Sequence, residues 1–151
     1  MIYLITHGKR NFGPNPGHTE EGLRQMASVI KEAADIPNIP LIVVGTGLRF
    51  IEIYTHLSQH LPNVPVQFSP FCGSADSMEA NGQVILTNGL LVGYDNYVSV
   101  VKSPAFDAWK FVASFPDNTV LCAGGELMNA LGIKSEKGQL YELDPKTRTA
   151  R

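Results

Sequence analysis

The chain has 151 residues, 44% of them apolar and 17% charged, with a formal net charge of −2. This suits one compact domain over residues 1–151, excludes a disordered chain, and lacks the basic excess of a nucleic-acid surface. The opening apolar run is too short for a membrane span and has no basic flank for a leader, so the chain reads as cytosolic with no membrane partner.

The first element is a strand, Ile2 to Ile5, which delivers Thr6 and His7 to a loop holding Gly8, Lys9 and Arg10. An apolar run ending in an imidazole and two cations suits capture of an anion such as a phosphate. Thr19 then caps a helix with Glu20 and Glu21 in its first turn, where the dipole favours acids. Leu23, Met26, Ala27, Ile30, Ala33 and Ala34 recur at helical spacing, and Asp35 and Pro37 end the helix. Leu41 to Val44 is a β-branched run of the kind buried on both faces of a parallel sheet. After Gly45-Thr46-Gly47 a second helix places Phe50, Ile53, Tyr54, Leu57 and Leu61 inward, and Val64 to Phe68 make a third strand.

Residues 72–82 read as a loop, and Val84–Thr87 and Leu90–Val101 are apolar, the latter open between strand and helix. Ser103 and Pro104 start a helix containing Phe106, Trp109, Val112 and Ala113. Thr119 to Ala123 form a late strand, and Gly124-Gly125 leads into a short helix through Leu131. Gly138 to Leu143 form a last edge strand before a polar tail expected to fray. Cys72 and Cys122 have no metal or redox spacing, and Cys122 lies in an apolar run as an inert thiol. His56 and His60 share a helix face without further ligands, so no metal site is expected.

Alternating strands and helices imply a three-layer α/β/α domain with a mostly parallel central sheet. Ligands of such sheets bind at the carboxyl ends of strands. The turns at His7-Gly8-Lys9-Arg10, Gly45-Thr46-Gly47-Leu48-Arg49 and Gly124-Gly125-Glu126 all fall there.

The order of these pieces resembles the histidine phosphatase superfamily, with its phosphoglycerate mutase-like fold. Leu4-Ile5-Thr6-His7-Gly8 stands where that family has a strand running into Arg-His-Gly. His18 to Met26 stand at its Leu-Thr-x-x-Gly-x-x-Gln-Ala helix start. Val43 to Arg49 match its Ser-x-Leu-x-Arg turn, and Leu121 to Leu127 match its Ser-His-Gly-Gly segment. The length is similar to the small phosphohistidine-phosphatase-like branch. The resemblance implies that His7 is the nucleophile forming a phosphohistidine, with Arg49 and Arg10 as catalytic cations. Two family positions differ: the arginine before the nucleophile is Thr6, and the second histidine is Gly124.

Each missing group would donate to charge developing on the phosphoryl group, and one such donor is worth on the order of 10²–10³ in rate. Candidate substitutes as phosphate ligands are Lys9, His18, Thr46 and the backbone at Gly125. Asp76, Glu79 and Glu126 are candidates for the leaving-group acid. The implied activity is phosphoric-monoester or phosphohistidine hydrolysis, weakened by the two absences, on a phosphorylated small molecule or phosphoprotein and without a cofactor. The alternative is an inactive relative acting as an anion-binding, regulatory or interaction protein.

Overall fold

The computed structural model describes residues 1–12, 16–73, 83–85, 91–93 and 106–151. β1 (Ile2–Ile5), α1 (Glu20–Ala34), β2 (Ile42–Val44), α2 (Leu48–His60) and β3 (Val66–Phe68) alternate in that order. A 3-10 turn, Pro70–Cys72, and the strands β4 (Gln83–Ile85) and β5 (Leu91–Gly93) follow. Next come α3 (Ala108–Ala113), β6 (Val120–Cys122), α4 (Gly125–Ala130), β7 (Leu140–Asp144) and β8 (Thr149–Ala150).

The main sheet has the order β3-β2-β6-β1-β7-β8. Its first four strands are parallel, while β7 runs antiparallel to β1 and β8 antiparallel to β7. Register explains how a site is assembled. Ile5, Cys122 and Val44 are aligned across β1, β6 and β2. The residues that follow each of them therefore emerge level with one another at the carboxyl edge. Two further bonds carry the pairing past the strand ends: Ala123 N–H donates to the Ile5 carbonyl at 3.1 Å, and Gly45 N–H to the Cys122 carbonyl at 3.0 Å.

The strands alternate between two apolar layers, as side chains of period two must. Ile5, Ile42, Val44, Val120 and Cys122 pack under α1 and α2, with Met26, Ile30, Ile53 and Leu57. Leu4, Val43, Leu121 and Leu143 face the other layer with Trp109, Val112, Leu127 and Met128. Thr19 caps α1 as expected, its hydroxyl accepting the Gly22 N–H at 3.0 Å. Gly22 faces the His7 loop so closely that a Cβ there would run into the Lys9 carbonyl. The glycine in the helix-start motif is thus required by the approach of α1 to that loop.

Several expectations need correcting. The buried stripe of α1 is Gly22, Met26, Val29, Ile30 and Ala33, so Ala27 is exposed and Val29 takes its place. The helix expected from Ser103 begins at Ala108, because the Asp107 carboxylate caps it by accepting the Lys110 N–H at 3.0 Å. Phe106 precedes it, and residues 103–105 lie outside the described residues. β7 is not an edge strand. The tail expected to fray returns as β8, and Glu142 and Arg151 exchange both backbone hydrogen bonds. In the apolar middle, β4 and β5 pair antiparallel, and the remainder of 74–105 lies outside the described residues.

Candidate functional site

His7 leaves the end of β1 half-buried at the level edge of the sheet. Its Nδ1 lies 2.8 Å from the Gly8 carbonyl oxygen. A carbonyl only accepts, so Nδ1 carries the hydrogen and Nε2 keeps its lone pair. Burial lowers the pKa of His7 from 6.5 to about 4, against the Gly8 hydrogen bond, with the charges of Arg49 and Lys137 pushing the same way as burial. The imidazole is therefore neutral at physiological pH.

Arg49 and His7 meet at one aromatic ring. The Arg49 guanidinium carbon stands 4.5 Å from the Phe50 centroid, and the His7 ring meets the same ring edge-on at 5.7 Å. Nε and Nη1 of Arg49 are buried. Phe50 itself is fully buried. Its ring is bounded by glycine backbone: a Cβ at Gly45 would lie 2.7 Å from it and one at Gly124 2.9 Å, and one at Gly73 would collide outright. The two turns expected to converge on His7 thus do so around a phenylalanine.

The other candidates are distributed differently. Lys9 forms an exposed 3.0 Å ion pair with Glu21 of α1, and its N–H donates to the Gln25 side chain. Arg10 is half-buried and pairs backbone to backbone with His18 in an antiparallel bridge. His18 has no exposed side-chain surface: Glu52 accepts from its Nδ1–H, and its Nε2 accepts the Gly8 N–H. It lies behind the His7 loop and is not open to an anion. Thr46 turns its N–H and hydroxyl toward the Gly73 carbonyl, at 2.7 and 3.5 Å. The Gly124 N–H is taken by the Cys72 carbonyl at 2.7 Å, while Gly125 is exposed and Glu126 half-buried. Asp76 and Glu79 lie outside the described residues.

Thr6, in the place of the family arginine, is buried and points into the segment leading to β7. Its hydroxyl donates to the Glu136 carbonyl at 2.7 Å and accepts the Gln139 N–H at 3.0 Å. Gly138 N–H donates to the His7 carbonyl at 2.8 Å. The segment so anchored brings the charge of Lys137 to bear on His7. Sequence reasoning missed Lys137, because only the antiparallel pairing of β7 with β1 places it there. It also missed Glu52, although its position three residues beyond Arg49 puts both on one side of α2.

Burial raises the thiol of Cys72 to about 12 and that of Cys122 still higher, so neither is reactive. No group of three or more metal-binding side chains occurs among the described residues, and none of their helices is long and apolar enough to cross a membrane.

This architecture is the phosphoglycerate mutase-like fold of the histidine phosphatases. The alpha-ribazole phosphatase from Shigella flexneri superposes with a TM-score of 0.58 at 12% identity, over 99% of this chain and 92% of that one. A mycobacterial glucosyl-3-phosphoglycerate phosphatase complexed with VO3 gives 0.57 at 13% identity, over 95% and 90%. A protein from Agrobacterium tumefaciens, assigned as the phosphohistidine phosphatase SixA, gives 0.55 at 16% identity, also over 95% and 90%. No protein-family model matches the sequence, and no curated protein resembles it at the sequence level.

Proposed function

We propose that this protein is a weak phosphoric-monoester or phosphohistidine hydrolase that works through a phosphohistidine at His7. One observation carries the reading: His7 holds its hydrogen on Nδ1, toward the Gly8 carbonyl, beside the Arg49 guanidinium. An imidazole that is neutral at pH 7 with an unprotonated Nε2 suits nucleophilic attack on phosphorus. In the first step the Nε2–P bond forms and the bond from phosphorus to the leaving oxygen or nitrogen breaks. The leaving group takes a proton from Glu126 or from water. In the second step water attacks phosphorus, the N–P bond breaks, and inorganic phosphate departs.

Arg49, with Arg10 and Lys137 as further cations, would neutralise charge on the phosphoryl oxygens. Phosphoryl transfer relies chiefly on such positioning and charge. The absence of a side chain at Gly124 and the hydroxyl at Thr6 remove two donors, which makes turnover slow. The substrate class is a phosphorylated small molecule or phosphoprotein.

The same geometry supports a second reading, in which the pocket binds a phosphate group without turning it over. The observation favouring it is Phe50, an apolar ring packed against the position that would carry the second histidine. Incubation with a phosphoramidate or acetyl phosphate, followed by 31P NMR and mass spectrometry of the intact protein, separates the two. The hydrolase reading expects an acid-labile phosphate on His7 that is lost in His7→Ala. No phosphate on His7 while inorganic phosphate still binds would leave the binding-only reading.

A further inference from the structure

We infer that His18, which is buried, and Glu52, which is partly buried, are a positioning pair that sets the tautomer of His7. The inference rests on reading His7 as the nucleophile, but its test needs no turnover. Glu52 Oε1 lies 2.7 Å from the backbone nitrogen of His18 and 3.0 Å from its Nδ1. A carboxylate only accepts, so both nitrogens donate and His18 holds its ring hydrogen on Nδ1. That leaves Nε2 as an acceptor, and the Gly8 N–H donates to it at 3.0 Å. Gly8 in turn offers its carbonyl to the His7 Nδ1–H at 2.8 Å. The chain of contacts runs from a carboxylate on α2, through a buried imidazole, to the backbone that fixes which nitrogen of His7 stays free.

Each member fits the task. The His18 side chain is wholly buried, and its ring lies 6.2 Å from that of His7, so it orients without touching the reacting atoms. Gly17 leaves room for the carboxylate, since a Cβ there would come 2.8 Å from Glu52 Oε1. The interposed imidazole also passes on a hydrogen bond while keeping the negative charge of Glu52 one ring further from an incoming phosphate, whose own charge would be repelled. Arg49 and Glu52 lie one turn apart on α2. One short piece of helix therefore supplies both the cation beside His7 and the acceptor behind it.

The test is 15N NMR of the imidazoles at neutral pH in phosphate-free buffer. In the wild type, His7 should be protonated on Nδ1 and bare on Nε2. In Glu52→Ala and His18→Ala the ratio of these tautomers should fall by about fivefold or more, the equilibrium worth of one intramolecular hydrogen bond. Glu52→Gln, whose amide oxygen can accept both His18 donors, should restore it. The resonances of His56 and His60, on the exposed face of α2, report whether each variant stays folded. If the alanine variants do not fold, the wild type still decides: a 15N–15N coupling across the hydrogen bond between Gly8 N and His18 Nε2 is expected, and its absence overturns the inference. An unchanged His7 tautomer in folded alanine variants overturns it equally. A tautomer that moves while His7 cannot be phosphorylated would uphold the positioning pair and reject the hydrolase.

Discussion

Phe50 and Gly124 exclude one another: a Cβ built on Gly124 would stand 2.9 Å from the Phe50 ring, and a side chain at that position would press on the ring. The position that resembles the family's second histidine is therefore closed by a neighbour. Gly124→His alone should lower stability by about 1–3 kcal/mol, the usual cost of overpacking a filled core. It should add no activity. With Phe50→Ala the space opens, and hydrolysis of an aryl phosphate by the double variant should rise by about 10²-fold over Phe50→Ala alone. Thermal unfolding and a phosphatase assay measure both halves. A single Gly124→His variant that is stable and more active would show that Phe50 is no barrier.

What the sequence reveals here is what local chemistry decides. The cap at Thr19, the both-sided burial of Ile42 to Val44 and the turn before Arg49 follow from spacing and residue type alone. Phe50 was legible as an inward helix residue, but its place beneath His7 and Arg49 depends on the shared register of β1, β6 and β2. Lys137 was invisible because β7 could be read only as an edge strand, when in fact it pairs with β1 on one side and β8 on the other. His18 reads in the sequence as a candidate phosphate ligand just before the Thr19 cap. In the fold it is buried and bonded to Glu52, 34 residues away, a contact no local pattern reveals.

Thr6 and Lys137 should act together. The Thr6 hydroxyl satisfies the Glu136 carbonyl and the Gln139 N–H, so Thr6→Val leaves a donor and an acceptor without their partner. A loss of about 1–3 kcal/mol of stability is expected, for an isosteric change that alters no volume. Lys137→Ala should leave stability within about 0.5 kcal/mol, as exposed positions usually do, but weaken inorganic phosphate binding severalfold. If Thr6 serves to hold that cation near His7, Thr6→Val should weaken phosphate binding too, and the double variant should be no worse than the poorer single one. Simple additivity in a phosphate titration would separate the two residues.

The depressed pKa of His7 gives a pH signature. Its folded value is about 4 against 6.5 for an ordinary histidine. Between those values the unfolded chain holds the proton and the folded one does not, so stability rises with pH across that interval. The contribution is complete above about 6.5 and is lost as pH falls through about 4. Followed by NMR without phosphate, His7 should titrate with a midpoint near 4, and Arg49→Ala should raise it, though by less than burial lowers it. A midpoint above 6 in the wild type would mean that His7 is solvated and the pocket open.

Binding of the anion should outlast any loss of turnover. Arg49 lies against the Phe50 ring with Nε and Nη1 buried, so its guanidinium is held beside that ring and does not wander in solvent. A fork of donors fixed in this way suits phosphate oxygens, and a hydrogen bond to a charged group is worth about 1.5–3 kcal/mol. Arg49→Ala should therefore weaken inorganic phosphate binding by about tenfold or more. Lys137 is exposed, so its share should fade as salt shortens the Debye length to about 8 Å at physiological ionic strength, whereas that of the more buried Arg49 should persist. Phosphate titrations at low and high salt, read from the His7 resonances in the wild type and both variants, distinguish the two cations. Equal salt sensitivity of the two contributions would place Arg49 in open solvent. A His7 signal unmoved by millimolar phosphate at low salt would leave the chain with the fold of a histidine phosphatase and no anion site.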